Sequence, residues 1–580
     1  MRLVVLYGSQ TGTAQDLAEQ IWRESKSYDF AGPVLPIDKF PIEQLIKETL
    51  IIFVVATTGN GDEPDNMKKT WKFLLRKSLP TESLQGLTFA LLGLGDSSYV
   101  KFNFAAKKLN KRLLQLGAKA LIPIGLCDDQ HDHGPSAVSL PWITNLWMEL
   151  EKLHFLKRKQ INDPICKWQL KILENPAEIN LVNAEILRWS NEEESQIFTL
   201  TTNLRTTSED HFQDVRLLSF TYSKDVNWQP GDVLQLRPCN SDANVSAFFE
   251  LIKEHNINFN ANTIIELNTI YEDMPLPEIY AQPISVGMLA KYVWDLTAKP
   301  RPRAFELLAL NCEDELEKEK LAEFTTAEGL DSVISYINRP RRTILEVLQD
   351  FRHATSKLTL PILCELFGTI QTRSFSIASI PEEKKLDILV AIVEYKTILS
   401  TPRLGLCSNW LKALAVDSKI VGTIKSGTMS LPKNKHTPIL MVGPGTGIAP
   451  FRSVIQSRLI ALKEYSTLDP KLVVFFGCRN KSKDFHFSTE FENWLTRMVK
   501  VFVAFSRDQE EKVYVQHLIK QQKSYLKELI LNEEAIILVA GSSNNMPKAV
   551  KEAFTFVLDE NSEYIEQMIK NRRYQEETWS

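Results

Sequence analysis

The chain begins with a short apolar run that leads directly into a loop of glycine and hydroxyl residues. The run is Leu3 to Tyr7, the loop is Gly8 to Ala14, and apolar residues at helical spacing follow from Leu17. A strand, a glycine loop and a helix start in this order bring backbone N–H groups and the positive end of the helix dipole to one point. The pattern predicts an α/β fold with a phosphate site, although a tight turn with Ser and Thr caps has the same local sequence. The loop lacks the Lys of triphosphate-binding loops, which disfavours a nucleoside triphosphate.

Two further buried-strand patterns, residues 50–55 and 87–92, alternate with helical segments. This rhythm predicts a parallel sheet whose ligand lies beyond the carboxyl ends of the strands. The loops there carry glycines, which let a backbone approach a planar ligand, and Tyr99, which can stack on one. A fifth strand is predicted at residues 120–124. The acidic and histidine residues at 128–133 fit a solvated loop better than a metal site.

These loops resemble those of flavodoxin-type FMN domains. By that resemblance the first loop holds the FMN phosphate and the others frame the isoalloxazine ring. The residues implied are Ser9, Gln10, Thr11, Gly12, Thr13, Ala14, Thr57, Thr58, Gly59, Asn60, Gly61, Leu94, Gly95, Asp96, Tyr99, Phe102, Asn103 and Asp128. One departure is Thr58, where cytochrome P450 reductase has a second stacking Tyr, so one flavin face is expected to be less covered.

The sequence pattern changes twice in the middle of the chain. Residues 151–165 are charged and non-periodic, which predicts a linker or hinge. Short-strand patterns from residue 166 predict an antiparallel barrel, interrupted at about residues 243–365 by helical spacing that predicts a connecting subdomain. The barrel pattern resumes at Arg373 and continues to residue 432. The predicted domains are therefore residues 1–150, 166–432 and 433–580.

The stretch Arg373 to Ser379 places Arg373 and Phe375 on one face of a predicted strand. An Arg can grip a pyrophosphate and an aromatic ring can lie against a flat ligand, although an ordinary half-buried strand has the same pattern. A second loop, from Gly405, enters a helix and suits a pyrophosphate. Together they resemble the FAD domain of the ferredoxin-NADP reductase superfamily, in the version that carries a helical connecting domain. The resemblance implies FAD contacts from Arg373, Ser374, Phe375, Ser376, Gly405, Leu406, Cys407, Ser408 and Trp579, and catalytic roles for Ser376 and Trp579.

A strand pattern at residues 438–442 leads into a glycine loop before a helix. The spacing is G-x-G-x-G, which departs from the Rossmann G-x-G-x-x-G and disfavours an ordinary NAD dehydrogenase. Further along, a guanidinium, a second charge and hydroxyls suit the 2′-phosphate of NADPH. The predicted NADPH residues are Gly445, Thr446, Gly447, Ser506, Arg507, Lys512, Tyr514 and Gln516.

The C-terminal tail departs from cytochrome P450 reductase. That enzyme has a Cys at the position matched to Ala540 and an Asp shortly before its terminal Trp, and both assist hydride transfer. Here the acid is expected to be a Glu close before Trp579. Because Ala540 cannot relay a proton, hydride transfer is expected to be slower than in cytochrome P450 reductase.

Composition limits location and partners. The formal net charge of −4 over 580 residues gives no general field for nucleic acid or anionic lipid. No apolar stretch reaches the roughly 20 residues of a membrane span, and the seven cysteines include no CxxC pair. We therefore expect a soluble cytoplasmic protein with no metal site, no membrane anchor and no nucleic-acid partner.

The order of these domains resembles the cytochrome P450 reductase-like diflavin reductases, and within them the NADPH-dependent diflavin oxidoreductases of cytosolic iron–sulfur protein assembly. The resemblance implies the cofactors FMN, FAD and NADPH and an anamorsin-type iron–sulfur protein as electron acceptor. Acidic residues in the loops of the first domain predict docking of basic partner surfaces. Two alternatives stay open: a soluble diflavin reductase for methionine synthase, sulfite reductase or a P450-type haem, and a scaffold that kept the fold without activity.

Overall fold

The computed structural model divides the chain into two compact units. It describes residues 1–580 except 60, 100, 155, 162–163, 174–194, 223–225, 464–470, 498 and 580. The first unit comprises Met1–Ile179, Asn240–Ile370 and Thr397–Ser400, and the second comprises Asn180–Cys239, Gln371–Lys396 and Thr401–Ser580. The predicted helical subdomain therefore groups with the N-terminal sheet, although in sequence it interrupts the barrel.

The N-terminal sheet is parallel, and its strands lie in the order 2-1-3-4-5 of a doubly wound flavodoxin-like fold. The strands are Val4–Gly8, Val34–Pro36, Leu50–Ala56, Thr88–Gly95 and Lys119–Ala120, and Gly125–Asp128 also pairs with the fourth. Val5 and Tyr7 of the first strand pack into one core, and Val4 and Leu6 pack into a second core on the other face. Because both faces are buried, the strand sequence is continuously apolar.

The predicted fifth strand at residues 120–124 is wrong in position. Pairing with the fourth strand stops after Ala120 and resumes at Gly125. Pro123 has no N–H to donate to a ladder, and its carbonyl instead accepts a hydrogen bond from Trp142 Nε1 at 2.9 Å. The helices of this region are Thr13–Lys26, Ile42–Leu45, Lys68–Leu74, Phe104–Gln115 and Ser136–His154, with 3₁₀ turns at Ile37–Lys39 and Asp65–Met67.

The rest of the first unit is mainly helical around one apolar core. Its helices are Asp242–Glu254, Val286–Met288, Leu289–Val293, Pro302–Asn311, Glu315–Glu323, Leu330–Val333, Ile334–Asn338, Ile344–Asp350, Arg352–Thr355 and Leu360–Leu366, with a 3₁₀ turn at Glu278–Tyr280. Apolar residues at helical spacing in this stretch, such as Leu289 and Val347, are fully buried. The strand Trp168–Leu173 pairs with Ile264–Thr269, which in turn pairs with Ile284–Ser285.

The second unit begins with an antiparallel sheet of six described strands. In spatial order they are Arg373–Ser376, Val233–Leu236, Lys419–Lys425, Ser195–Arg205, Val215–Tyr222 and Leu386–Ala391. A bridge between Ile377 and Ile388 joins the two edges, so the sheet closes into the predicted barrel. A hairpin of Glu394–Tyr395 and Arg403–Leu404 and the helix Leu406–Ala413 follow.

The last part of the second unit is a parallel sheet covered by helices. Its strands, in spatial order, are Lys500–Phe505, Leu472–Cys478, Ile439–Val442, Ile536–Ser542 and Tyr574–Trp579. Its helices are Ile448–Lys463, Ser488–Thr496, Val515–Gln521, Lys523–Asn532, Asn545–Val557 and Ser562–Lys570, with a 3₁₀ turn at Gly445–Gly447. The strand order reverses at Ile439–Val442, which places a ligand crevice at the carboxyl end of that strand.

Within the part of the chain that the structure describes, no helix combines the length and the apolar character that crossing a membrane requires.

Candidate functional site

The first candidate site lies at the carboxyl ends of the first, third and fourth strands. Its leading loop is braced from the side: the Ser9 backbone N–H donates to Asn66 Oδ1 at 2.9 Å, and Gln10 Nε2 donates to Asp65 Oδ2 at 3.1 Å. Gly12 has φ of 102° and its N–H donates to Ser9 Oγ at 3.1 Å. Glycine adopts this backbone conformation without strain, so the loop favours glycine at this position.

The second loop is a tight turn closed by Thr58 and Asp62. Each backbone N–H donates to the carbonyl of the other residue, both at 2.9 Å. Gly59 and Gly61 have φ of 46° and 93°, which this turn requires. The predicted residue Asn60 lies outside the described residues. Thr57 links this loop to the next, because its N–H donates to the Leu94 carbonyl at 2.9 Å.

The third loop is tied to the strand end at Asp128. The Asp128 carboxylate accepts hydrogen bonds from the Ser97 and Gln130 N–H groups at 2.9 and 3.0 Å. Burial raises the pKa of Asp128, but hydrogen bonds from Ser97 and Gln130 outweigh it, so the pKa lies below its usual range. This carboxylate therefore fixes the loop that carries Tyr99, whose N–H donates to the Asp96 carbonyl at 3.2 Å.

Asn103 closes the third loop in a left-handed conformation with φ of 53°. It is fully buried, and its Nδ2 donates to the Cys127 carbonyl at 2.8 Å. Its Oδ1 is also buried and has no hydrogen-bond partner among the described atoms. An unpaired buried acceptor is costly. Because this atom is enclosed by protein, with a Cβ built at Gly93 only 2.8 Å away, Asn103 shapes the loop from inside.

The structure thus brings the described residues of the first predicted set to one edge of one sheet. Exposed or partly exposed are Ser9, Gln10, Thr11, Thr13, Thr57, Thr58, Gly59, Gly95, Asp96, Tyr99, Phe102 and Asp128, and buried are Gly12, Ala14, Gly61, Leu94 and Asn103. Among the described residues, no cluster of His, Cys, Asp and Glu is arranged to hold a metal ion.

The second candidate site lies on the barrel strand Arg373–Ser376. Arg373 is exposed, and its Nη1 donates to the Gln371 and Thr372 carbonyls at 3.2 and 3.1 Å. Phe375 lies on the same face of the strand, two residues further. An exposed guanidinium beside a half-buried aromatic ring suits a ligand that carries both phosphate and a flat ring.

The loop from Gly405 to Ser408 opens the helix Leu406–Ala413 next to this strand region. Ser408 Oγ accepts from the Val393 N–H at 3.0 Å and donates to the Gly405 carbonyl at 3.3 Å. A Cβ at Gly405 would lie 2.7 Å from Val393 Cβ, so glycine is needed for this close approach. Burial raises the pKa of the Cys407 thiol to about 12 despite the nearby charge of Arg373, which disfavours a nucleophilic role.

The C-terminal strand places an acid beside Ser376. Ser376 Oγ donates to Glu577 Oε1 at 3.2 Å, and Thr428 Oγ1 donates to Glu577 Oε2 at 3.0 Å. Burial raises the pKa of Glu577 above the usual glutamate range, although both hydroxyl groups lower it. Glu577 is in register with Ala540, and Trp579 with Ser542. The expected acid near the terminal Trp is therefore Glu577.

Glu577 was not singled out among the predicted site residues, because the prediction was only of a Glu close before Trp579. The only available signal was its position two residues before Trp579, and Glu576 beside it carries the same side chain. Neighbouring residues in a strand point to opposite faces, so the register of the last strand decides which acid reaches Ser376.

The third candidate site is the glycine loop after the strand Ile439–Val442. A Cβ at Gly447 would lie 2.1 Å from the Ala540 carbonyl oxygen, and one at Gly443 would lie 2.6 Å from the Gly447 carbonyl oxygen. These positions need glycine because backbones meet there. Gly445 has φ of 58°, and a Cβ there would meet no atom within 4 Å. That side of the loop is open space, as a bound dinucleotide requires.

The predicted phosphate-binding residues follow the neighbouring strand Lys500–Phe505. The Ser506 N–H donates to the Cys478 carbonyl at 2.9 Å, and the Arg507 N–H donates to the Arg479 carbonyl at 2.8 Å. Ser506 is buried and Arg507 is exposed, so the guanidinium is available to an anion. Lys512 is also exposed, Tyr514 caps the helix Val515–Gln521, and Gln516 lies in its first turn.

Arg479 is a further cation at this edge that the predicted set omitted. Its guanidinium carbon lies 4.1 Å from the ring centroid of Phe212, which is 68% exposed. A stacked guanidinium keeps its N–H edge available to phosphate oxygens. The signal was present in Gly477-Cys478-Arg479-Asn480.

Comparisons with known proteins agree with three sites in this order. The flavodoxin family model matches residues 5–142, the FAD binding domain model matches residues 193–410, and the oxidoreductase NAD-binding domain model matches residues 441–552.

Relatives along the full length are also found. A Danio rerio protein is 43% identical over 602 residues, which cover 100% of this chain and 99% of the relative. A Mus musculus protein is 39% identical over 612 residues, and a Schizosaccharomyces pombe protein is 35% identical over 598, both with 100% and 99% coverage. All three relatives carry the name NADPH-dependent diflavin oxidoreductase 1.

Proposed function

This chain belongs to the family of NADPH-dependent diflavin oxidoreductases, with FMN, FAD and NADPH as cofactors, and we propose that it passes electrons from NADPH to FAD, then to FMN, and then to an external one-electron acceptor. When bound, the flavins supply the conversion of a two-electron donor into a one-electron donor. The observation that carries the proposal is the hydrogen bond from Ser376 to Glu577, because it joins the barrel to the C-terminal strand that bears Trp579.

The first three loops hold FMN in this proposal. The loop from Ser9 to Ala14 binds the phosphate through backbone N–H groups and hydroxyls at the start of the first helix. The turn closed by Thr58 and the loop with Tyr99 frame the isoalloxazine ring, and Asn60 belongs to the same set. The hydrogen bonds that order these loops, such as those from the Ser97 and Gln130 N–H groups to Asp128, support the assignment.

Arg373 and the Gly405–Ser408 loop hold the FAD pyrophosphate, and Phe375 lies against the ring. Ser376 and Glu577 form a hydroxyl and carboxylate pair that keeps a proton positioned beside the ring. Trp579 would cover the ring of a bound FAD and would have to move for the nicotinamide to reach it. Support for these roles comes from the exposed Arg373 guanidinium and from the strand pairing that carries Glu577 to Ser376.

NADPH binds at the third site, with its 2′-phosphate held by Arg507, Ser506, Lys512 and Tyr514. Gln516 completes the set, and the loop Gly445–Gly447 receives the rest of the dinucleotide. The open side of Gly445 and the exposure of Arg507 support this assignment. NADH has no 2′-phosphate, so we expect a preference for NADPH.

We propose an anamorsin-type iron–sulfur protein as the acceptor and cytosolic iron–sulfur protein assembly as the process, in the cytoplasm. The support is the family membership, together with acidic side chains such as Asp62, Asp96 and Asp132 in the loops of the first sheet. A negative docking face favours a partner with a basic surface.

One preparation of the full chain tests the proposal. We expect one FMN and one FAD per chain, and faster NADPH-dependent reduction of an anamorsin-type protein than of methionine synthase, sulfite reductase haem or a P450-type haem. Equal or faster reduction of another acceptor would refute the acceptor assignment. Protein with no bound flavin and no NADPH-dependent reduction of any acceptor would refute the enzyme roles of these residues.

A further inference from the structure

A guanidinium from the helical region lies beside the proposed FMN phosphate loop. Arg301 immediately precedes the helix Pro302–Asn311, in a part of the chain remote in sequence from that loop. A Cβ built on Gly12 would lie 3.0 Å from Arg301 Nη2, and a Cβ built on Gly368 would lie 2.9 Å from Arg301 Cζ. The guanidinium therefore lies between two glycine backbones, one of which belongs to the phosphate loop.

The same guanidinium pairs with the first turn of the helix that follows the loop. Arg301 Nη1 donates to Asp16 Oδ1 at 2.5 Å, and both side chains are about one-quarter to one-third exposed. Burial raises the pKa of Asp16 to about 6, although Arg301 acts in the opposite direction. Ionised Asp16 is therefore disfavoured by its burial, and it lies near the place where the FMN phosphate, a second anion, is expected.

Two other ion pairs hold the helical region against this helix. Lys167 Nζ lies 2.8 Å from Glu19 Oε2, and Arg23 Nε lies 3.9 Å from Glu306 Oε2. Burial would raise the pKa of Glu19, but Lys167, together with Gln15 and Arg23, outweighs it and lowers that pKa to about 2. These pairs fix the approach of the segment that carries Arg301.

The loop Ser9–Ala14 contains no Lys or Arg of its own. A phosphate monoester carries between one and two negative charges near pH 7, and a guanidinium presents its N–H donors as a fork that matches phosphate oxygens. Arg301 is therefore suited to supply the positive charge that the loop lacks.

We propose that Arg301 binds the phosphate of FMN, so that the helical region contributes a residue to the FMN site. The inference rests on the proposed assignment of the Ser9–Ala14 loop to that phosphate. It adds a consequence: FMN binding strengthens the packing of the helical region on the first helix, because one guanidinium serves both Asp16 and the ligand.

The test compares FMN with riboflavin, which has the same ring and no phosphate. Dissociation constants are measured by flavin fluorescence on the full chain, depleted of FMN with FAD retained, for the wild type and Arg301→Gln. Loss of a charge-assisted contact should weaken FMN binding by about tenfold or more. Riboflavin binding should change by less than about twofold, since no phosphate contact is lost.

Arg303→Gln is the matched control. Arg303 lies two residues away in the same segment, and it contacts Glu306 at 2.8 Å and the Ile165 carbonyl at 2.8 Å. Its loss removes the same charge, so FMN affinity should stay within about twofold if the effect of Arg301 is local to the loop. Arg301→Lys should retain part of the phosphate preference because it keeps the charge and loses the fork. FAD content and thermal melting report whether each variant is folded.

The outcomes distinguish a failure of the phosphate role proposed for the Ser9–Ala14 loop from a failure of the role proposed for Arg301. If the wild type binds FMN no more tightly than riboflavin, the phosphate role of the loop fails and the inference fails with it. If the wild type prefers FMN and Arg301→Gln keeps the full preference, the inference alone is overturned. An equal loss of FMN and riboflavin affinity in a folded Arg301→Gln protein also overturns it, because that result shows a structural role.

Discussion

Replacing Glu577 with Gln should slow the reduction of FAD by NADPH. Glu577 accepts hydrogen bonds from Ser376 at 3.2 Å and from Thr428 at 3.0 Å. The side-chain amide of Gln has one oxygen that can accept a hydrogen bond and one NH₂ group that cannot. One of the two hydrogen bonds to the charged carboxylate is therefore lost. Such bonds contribute about 1.5–3 kcal/mol, and the long, partly exposed geometry places the loss near the lower limit. Only the part of this energy that is larger in the transition state than in the ground state changes the rate, and about 1.4 kcal/mol of it is about tenfold.

The assay is the anaerobic decay of flavin absorbance after rapid mixing with NADPH. Glu576→Gln is the control, because Glu576 is the neighbouring residue of the same strand and points to the opposite face. We expect a rate close to that of the wild type for Glu576→Gln and about tenfold slower for Glu577→Gln. Wild-type kinetics in Glu577→Gln, or equal slowing in both variants, would refute the assigned role.

The raised pKa of Glu577 also predicts how stability depends on pH. The pKa of this carboxyl in the folded protein lies above its usual value of 4.5, so ionising it costs more in the folded protein than in the unfolded chain. As pH rises from about 4.5 through the folded pKa, the wild type should lose stability relative to Glu577→Gln. Urea unfolding at a series of pH values measures the difference. A difference that stays constant or changes in the other direction would contradict a raised pKa for this partly buried group.

Three further substitutions test the other sites. Gly447→Ala puts a Cβ 2.1 Å from the Ala540 carbonyl oxygen, so the loop must move, and we expect a loss of about 1–3 kcal/mol in urea unfolding and a raised KM for NADPH; unchanged values would contradict the close packing. Arg507→Gln should raise the KM for NADPH by about tenfold or more and leave that for NADH unchanged, and a parallel change for both would exclude a 2′-phosphate contact. Trp579→Ala should shift the NADPH/NADH preference and the reduction kinetics, and unaltered steady-state and rapid-mixing data would remove Trp579 from the FAD ring.

The local sequence pattern was enough to predict most of the strands and helices of the fold. Apolar runs predicted the strands Leu50–Ala56 and Thr88–Gly95 to within a few residues, because strands buried on both faces are continuously apolar. The edge of the sheet was harder, since Pro123 interrupts an apolar run whose pairing shifts to residues 125–128. A run of apolar residues does not show where the hydrogen bonds between two strands are interrupted.

The site residues also divide into those that local sequence predicts and those that it does not. Loops at strand ends were predictable because their glycines and hydroxyls are adjacent in sequence. Contacts that depend on distant segments were not: Glu577 reaches Ser376 only through the register of the last strand, and Arg301 reaches Gly12 only through the packing of the helical region. No local periodicity encodes such pairs, because both partners have ordinary surroundings in sequence.

The most direct test of the proposed electron path is acceptor reduction by full-length protein depleted of FMN but loaded with FAD. We expect NADPH to reduce the FAD at the wild-type rate, the anamorsin-type protein to stay oxidised, and added FMN to restore its reduction. If the FMN-depleted protein reduces that acceptor as fast as the intact enzyme, electrons do not leave through FMN and the central claim is wrong.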